Sequence, residues 1–197
     1  MLSALTLLLA VQTAPPPAGG YPTAEVLDAF AEVCRPIASL DGAAAAARGA
    51  GWQTFVPEPS SDIGQLLTFA NEGAASLSAE HGAKVLPMVA LRRTVAGEAL
   101  IAVLSGVVMK GVKVNGCRVY DAGETREISR AAAEAWIKRP PSKVVEDPAL
   151  HISTWEPGFD PRHDSFELYF IPAGSPAIEM VKVSGIALKA DFVGAAD

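Results

Sequence analysis

Few residues in this sequence belong to the types that most recognisable functional sites require. Its 197 residues include two cysteines and three histidines, too few for a cysteine-rich zinc module. Lysine and arginine number 16 against 22 aspartates and glutamates, whereas nucleic-acid binding depends on clustered cations. We therefore expect no structural zinc module and no nucleic-acid partner.

Long hydrophobic runs are also missing. The N-terminal run Leu2–Val11 is much shorter than the roughly 20 apolar residues that a membrane-spanning helix needs. The run Ala99–Met109 is interrupted by Ser105 and Gly106 and is typical of a buried strand. We expect no stable membrane span.

Residues 1–20 have the composition of an export signal. They contain no charged side chain, and the apolar run is followed by prolines at positions 15, 16 and 17. A short apolar core followed by small residues is typical of a secretory signal peptide, although the usual basic residues before the core are missing. We predict a signal peptide and Pro-rich linker over residues 1–20 and a single domain over residues 21–197. A buried N-terminal helix or strand is the alternative.

Export determines how the two cysteines are interpreted. In the bacterial periplasm or outside the cell, oxidising conditions favour a disulfide over two free thiols. Cys34 and Cys117 are too far apart in the sequence for a Cys-x-x-Cys redox motif. We predict a Cys34–Cys117 disulfide in a periplasmic or secreted bacterial protein, with two separately buried thiols as the alternative.

The hydrophobic pattern changes from helical to strand-like about halfway along the chain. Candidate helices cover residues 23–37, 41–49 and a stretch from residue 61. A further helix runs from the capping pattern at 121–124 to residue 139 and separates two sets of strands. The candidate strands are 85–95, 99–109 and 112–121 before this helix, and 151–155, 166–171 and 183–193 after it. Strands joined by short turns indicate antiparallel pairing, and segregated helices indicate the α+β class. We predict an α+β fold: an antiparallel sheet of five or six strands with three or four helices packed on one face. In the last strand, Lys189 and Asp191 alternate with apolar residues, which predicts a solvated second face.

The densest group of polar residues lies between positions 151 and 164. Imidazoles and carboxylates can bind a divalent metal or transfer protons. His151, Asp160 and His163 are candidate catalytic residues, and Glu156 and Asp164 join them as candidate metal ligands. No known ligand spacing such as His-Glu-x-x-His is present, so a hairpin loop with solvated charges is the alternative. No cofactor motif is present, and we expect no cofactor.

Four basic residues form a second candidate site. Arg92 and Arg93 lie on one predicted strand, and Lys110 and Lys113 lie on or beside neighbouring ones. Clustered cations attract anions, so these residues predict a ligand patch. The alternative is an ordinary solvated sheet face.

A well-patterned fold without a convergent catalytic set favours an exported, non-enzymatic binding or accessory domain. Its partner would be a protein, an envelope component or a small ligand, bound through the sheet face or through the 156–164 hairpin. The first alternative is a periplasmic hydrolase or metal-dependent enzyme that uses the 151–164 region. The second is a structural or assembly subunit. The ligand and the oligomeric state are not determined by the sequence.

Overall fold

The computed structural model describes residues 20–196, which form five helices and one eight-stranded antiparallel sheet. The helices are α1 (Thr23–Cys34), α2 (Leu40–Gly49), α3 (Asp62–His81), α4 (Arg130–Ile137) and α5 (Ile178–Val181). The strands are β1 (Gln53–Thr54), β2 (Lys84–Val95), β3 (Glu98–Met109), β4 (Val112–Ala122), β5 (Lys143–Asp147), β6 (Leu150–Trp155), β7 (Ser165–Ile171) and β8 (Gly185–Ala195). The predicted signal peptide and linker, apart from Gly20, lie outside the described residues.

The sheet consists of two four-stranded meanders joined edge to edge. Its strand order is β1-β2-β3-β4-β8-β7-β6-β5, so the second meander runs in reverse order beside the first. The central pair is β4 with β8, and it is in register from Val112 opposite Ala195 to Ala122 opposite Gly185. The four strands of 11 or 12 residues, β2, β3, β4 and β8, are adjacent in the sheet, and each has a partner on both sides.

One face of the sheet carries the main hydrophobic core, and we call it the disulfide face. Leu104, Cys117 and Ala190 lie side by side on it, and α1, α2 and α4 contribute to the same core. Val26, Phe30 and Val33 recur at helical spacing along α1 and are buried, as is Ile37 just beyond the helix. This burial is what fixes α1 on the sheet, because amphipathic helices are stabilised mainly by packing.

The opposite face is covered by α3 and α5, and we call it the α3 face. Its core is smaller, with Ile63, Val103, Tyr120 and Val183 at its centre. The first turn of α3 packs tightly because Gly64 has no Cβ; such an atom would lie 2.0 Å from the Glu58 backbone oxygen. The predicted arrangement with all helices on one face is therefore wrong.

The polar side chains of β8 on the α3 face are also less exposed to solvent than the alternating pattern of β8 predicts. The side chains of Lys189 and Asp191 are only 24% and 20% exposed, and they pair with each other at 2.8 Å. The covering helix explains the difference, since it shields polar positions that would face water on a one-sided sheet.

The predicted count of five or six strands and three or four helices is also wrong. The two additional strands, β1 and β5, lie at the two edges of the sheet. Both are short, and β5 buries only part of Val145, so neither gives a clear alternating pattern. The fifth helix, α5, is a single turn. Helix α4 begins at Arg130 after its cap Ser129, because the predicted capping position at Asp121 still belongs to β4.

The predicted disulfide is confirmed. Cys34, the last residue of α1, is bonded to Cys117 in the middle of β4, with a Cα–Cα distance of 5.4 Å. Both cysteines are fully buried. The bond therefore joins the C-terminal end of the first helix to a central strand of the sheet.

Replacing both cysteines, Cys34→Ala with Cys117→Ala, should lower the free energy of unfolding by about 2–5 kcal/mol. The crosslink spans a sequence separation of 83, and its loss frees a long loop in the unfolded chain. Urea unfolding of the oxidised protein and of the double variant measures the effect. Dithiothreitol should destabilise the wild type and leave the double variant unchanged; equal urea midpoints for both proteins would contradict this account.

Candidate functional site

The hairpin loop of residues 156–164, between β6 and β7, is packed against the helices. His163 is 1% exposed and Asp160 is 9% exposed. The Phe159 ring lies 5.5 Å from Trp136 and 4.3 Å from His163, stacked in both cases. The alternative of a solvated loop is therefore wrong for Asp160 and His163, because the aromatic residue beside them packs into the core.

His163 completes the C-terminal end of α1. Its Nε2 lies 2.9 Å from the backbone oxygen of Cys34. A carbonyl oxygen can only accept a hydrogen bond, so Nε2 is the protonated nitrogen. The last carbonyls of a helix have no partner within the helix, and the imidazole supplies one. His163 therefore acts as a structural contact in this arrangement.

Asp160 is the centre of a small ion-pair cluster. Its Oδ1 accepts a 2.8 Å hydrogen bond from Arg162 Nε, and its Oδ2 accepts a 2.9 Å bond from Arg35 Nη1. The bonds from Arg162 hold the pKa of Asp160 well below its usual range. The carboxyl group is therefore ionised at neutral pH and links the loop to the end of α1.

The other three candidates have separate surroundings. His151 Nδ1 lies 2.9 Å from Glu127 Oε2 beside a cavity of about 200 Å³. Asp164 Oδ2 accepts a 2.6 Å bond from the Val193 backbone, and Glu156 is exposed. Across residues 20–196, one group of three ligating side chains has atoms within 4.8 Å of one another, and it contains none of the five candidates. The structure does not assemble the predicted metal site.

The predicted basic patch is also divided. Arg93 lies opposite Leu100 near the start of β3, and Lys113 lies opposite Val108 near its end. Eight residues of strand separate these positions by about 26 Å. Arg93 pairs with Glu32 of α1 at 2.7 Å. On the other face of β2, the Arg92 guanidinium stacks over Phe55, and Lys110 lies in the β3–β4 turn. The four residues therefore do not form one anion site.

The group that could hold a metal consists of Glu98, Asp121 and Glu124. Arg126 already contacts two of these carboxylates: its Nη2 lies 2.9 Å from Glu98, and its Nε lies 2.9 Å from Glu124. The bonds from Arg126 lower the pKa of Glu124 to about 2. The guanidinium therefore supplies the positive charge that a cation would bring.

The pKa of Asp121 is shifted in the opposite direction from that of Glu124. Burial raises the pKa of Asp121 to about 6, although the Tyr21 hydroxyl donates to its Oδ2 at 2.9 Å. Burial also raises the pKa of Tyr21. No sequence pattern indicates this cluster, because its members come from the start of β3, the end of β4 and the loop that follows.

A cleft lies on the α3 face between α3, α5 and the sheet. It has two adjoining chambers of about 370 and 350 Å³ that share Leu66, Arg118 and Tyr120. The first chamber runs under α3 toward Leu77 and Val107; the second opens beside α5 and Met180. We call the two chambers together the α3 cleft.

The cleft exists because most of α3 does not pack on the sheet. Of its 20 residues, only Ile63 and Gly64 in the first turn are buried. Phe69 and Leu77 remain 50% and 43% exposed. Exposed apolar side chains that line a cavity of several hundred Å³ are typical of a ligand-binding site.

Charged residues lie where the two chambers meet. Lys189 Nζ pairs with Glu167 at 3.1 Å and with Asp191 at 2.8 Å. Arg118 Nη1 donates to Ser105 Oγ at 3.1 Å, and within residues 20–196 Arg118 has no carboxylate at ion-pair distance. The cleft therefore combines apolar walls with one half-buried guanidinium that has unused donors.

No protein-family model, curated protein or solved structure matches this chain. In the part of the chain that the structure describes, no helix has the length and apolarity to cross a membrane.

The two histidines of the 151–164 region should respond differently to truncation. His163→Ala should lower the free energy of unfolding by about 2–4 kcal/mol, because it opens a buried cavity and removes one of the two hydrogen bonds that the Cys34 carbonyl accepts. His151→Ala is the matched control and should cost less than about 0.5 kcal/mol, since its side chain and that of Glu127 are about half exposed. Urea unfolding at pH 7 measures both, and similar losses would contradict the assigned contacts.

Asp121→Asn should remove a pH dependence from folding stability. A raised pKa in the folded state stabilises the protein when Asp121 is protonated, and this contribution is lost as the pH rises through about 6. The variant should therefore gain stability relative to wild type by about 1 kcal/mol between pH 5 and pH 7.5. Urea unfolding across that range tests the effect, with Glu72→Gln on exposed α3 as control. A constant difference between Asp121→Asn and wild type would contradict the assignment.

Proposed function

We propose that this chain is an exported, non-enzymatic domain that binds a small ligand in the α3 cleft. The observation that carries the proposal is that α3 packs loosely on the sheet. Apolar side chains on both sides of a cavity are therefore left uncovered. When the apolar residues of a helix do not contact the sheet, the helix lacks the burial free energy that would normally fix it on the sheet. A ligand in the cleft would restore that burial.

The cleft is a better candidate than the 156–164 hairpin. His163 of the hairpin and Trp155 just before it are buried, and Asp160 is held by two arginines. Their hydrogen bonds are directed at the protein itself, which favours a structural role over catalysis or recognition. The binding surface then falls on the sheet face, which is one of the two surfaces that the sequence suggested.

The disulfide supports the exported location. A buried Cys34–Cys117 bond is compatible with folding in an oxidising compartment. Together with the apolar run at residues 2–11, it favours a mature protein in the periplasm or outside the cell. The mature N-terminus is then expected between about residues 14 and 21.

Native mass spectrometry of protein purified from the exporting cell tests the proposal. The wild type should retain a non-protein mass, and Ala74→Trp should lose it, because Ala74 lines the first chamber and an indole there fills the cavity. Ala75→Trp is the matched control, since the next residue of α3 is exposed and does not line the cleft. Unfolding midpoints show whether both variants fold.

Retention of the bound mass by Ala74→Trp would contradict the cleft as the binding site. A wild-type protein that carries no such mass would contradict the proposed binding function. Intact-mass analysis of the same samples tests export independently: a chain that begins at Met1 in the cytoplasm would contradict it.

A further inference from the structure

The position of Arg118 gives the α3 cleft a chemical preference. Its guanidinium lies where the two chambers meet, and Leu66 and Tyr120 are the other residues that both chambers share. A guanidinium has five N–H donors, and the structure uses one of them, toward Ser105. A charge that is partly withdrawn from water normally has an ionic partner.

The nearby carboxylates do not act as that partner. Glu167 and Asp191 both pair with Lys189, and Glu167 also accepts a 2.5 Å bond from the Tyr169 hydroxyl. Lys189 is thus matched by two anions while Arg118 has no carboxylate within 4.0 Å in the described part of the chain. Of the two cations that line the cleft in residues 20–196, Arg118 is thus the one without a carboxylate partner.

The walls on either side of Arg118 are mainly apolar. Leu67, Leu77 and Met88 line the first chamber, and Phe69 and Met180 line the second. Each chamber has a volume of at least 350 Å³, within the usual range for small-molecule sites. An elongated apolar group would fill either chamber and bury the side chains that α3 leaves exposed.

From this arrangement we infer that the α3 cleft binds a single-chain amphipathic anion, with its carboxylate or phosphate on Arg118 and its hydrocarbon chain under α3. The inference rests on the proposed function and adds the chemical class of the ligand. Planar guanidinium groups bind carboxylate and phosphate through paired hydrogen bonds. Both headgroups share this chemistry, and the experiment separates them.

Calorimetric titration of the disulfide-bonded protein tests the inference. The probes are laurate, dodecyl phosphate, the neutral dodecanol and the cationic dodecyltrimethylammonium, all below the concentrations at which they form micelles. The wild type should bind at least one of the two anions and reject the cation. Whichever anion binds identifies the headgroup, and binding of both identifies the shared anionic chemistry.

The Arg118→Gln variant separates the charge from the cleft. It should weaken anion binding about tenfold or more, because it removes a charge-assisted hydrogen bond, and should leave dodecanol binding unchanged. Arg92→Gln is the matched control, since Arg92 lies on the same sheet face but outside the α3 cleft. If Arg118→Gln does not fold, the salt dependence of laurate binding relative to dodecanol replaces it: laurate binding should weaken with salt and dodecanol binding should not.

Three results would overturn the inference. The cation could bind as tightly as laurate; Arg118→Gln could bind laurate with wild-type affinity; or no amphiphile could bind. In each case the native mass experiment remains decisive for the proposed function. A retained mass that Ala74→Trp abolishes would leave the cleft as a binding site for another class of ligand, and absence of any bound mass would remove the binding function as well.

Discussion

The C-terminal end of α1 is the constraint on which the arrangement of the disulfide face depends. The last carbonyls of a helix need partners from outside the helix, and α1 ends in the dry interior. The Cys34–Cys117 bond fixes that end on β4, and the imidazole of His163 satisfies the Cys34 carbonyl. Two residues before Cys117 on β4, Asn115 Nδ2 donates to the Ile37 backbone oxygen at 2.8 Å. One strand, β4, and the 156–164 loop are thus held against a single helix end.

This constraint also explains why the sequence suggested a catalytic site in the wrong place. A histidine that supplies a donor to a buried helix end and an aspartate that pairs with two arginines are the same residue types that acid–base catalysis uses. Sequence spacing does not distinguish the two roles. The distinguishing information is the position of the α1 carbonyls and of Arg35, which are more than a hundred residues away in the sequence and become neighbours only in the folded chain.

The central features of the fold could be predicted from the sequence because each has a strong local signal. The six strands at the centre of the sheet carry alternating or continuous apolar residues, and the α1 stripe recurs at helical spacing. The edge strands β1 and β5 bury little, so their sequences carry little pattern. The placement of α3 on the second face was missed for a related reason. Lys189 and Asp191 indicate a solvated face, whereas they form an ion-paired cluster beneath a helix.

The two faces of the sheet differ in how completely their helices are fixed, and this difference leaves apolar side chains exposed on the α3 face. On the disulfide face, a covalent bond, hydrogen bonds and aromatic packing around Phe30 and Phe159 hold α1. On the other face, α3 is held at its first turn, where Gly64 permits close contact with the chain before it. The remaining turns gain little from burial. Because the disulfide face supplies a large share of the core that stabilises the sheet, the opposite face can keep apolar surface and the Arg118 guanidinium available without loss of the fold.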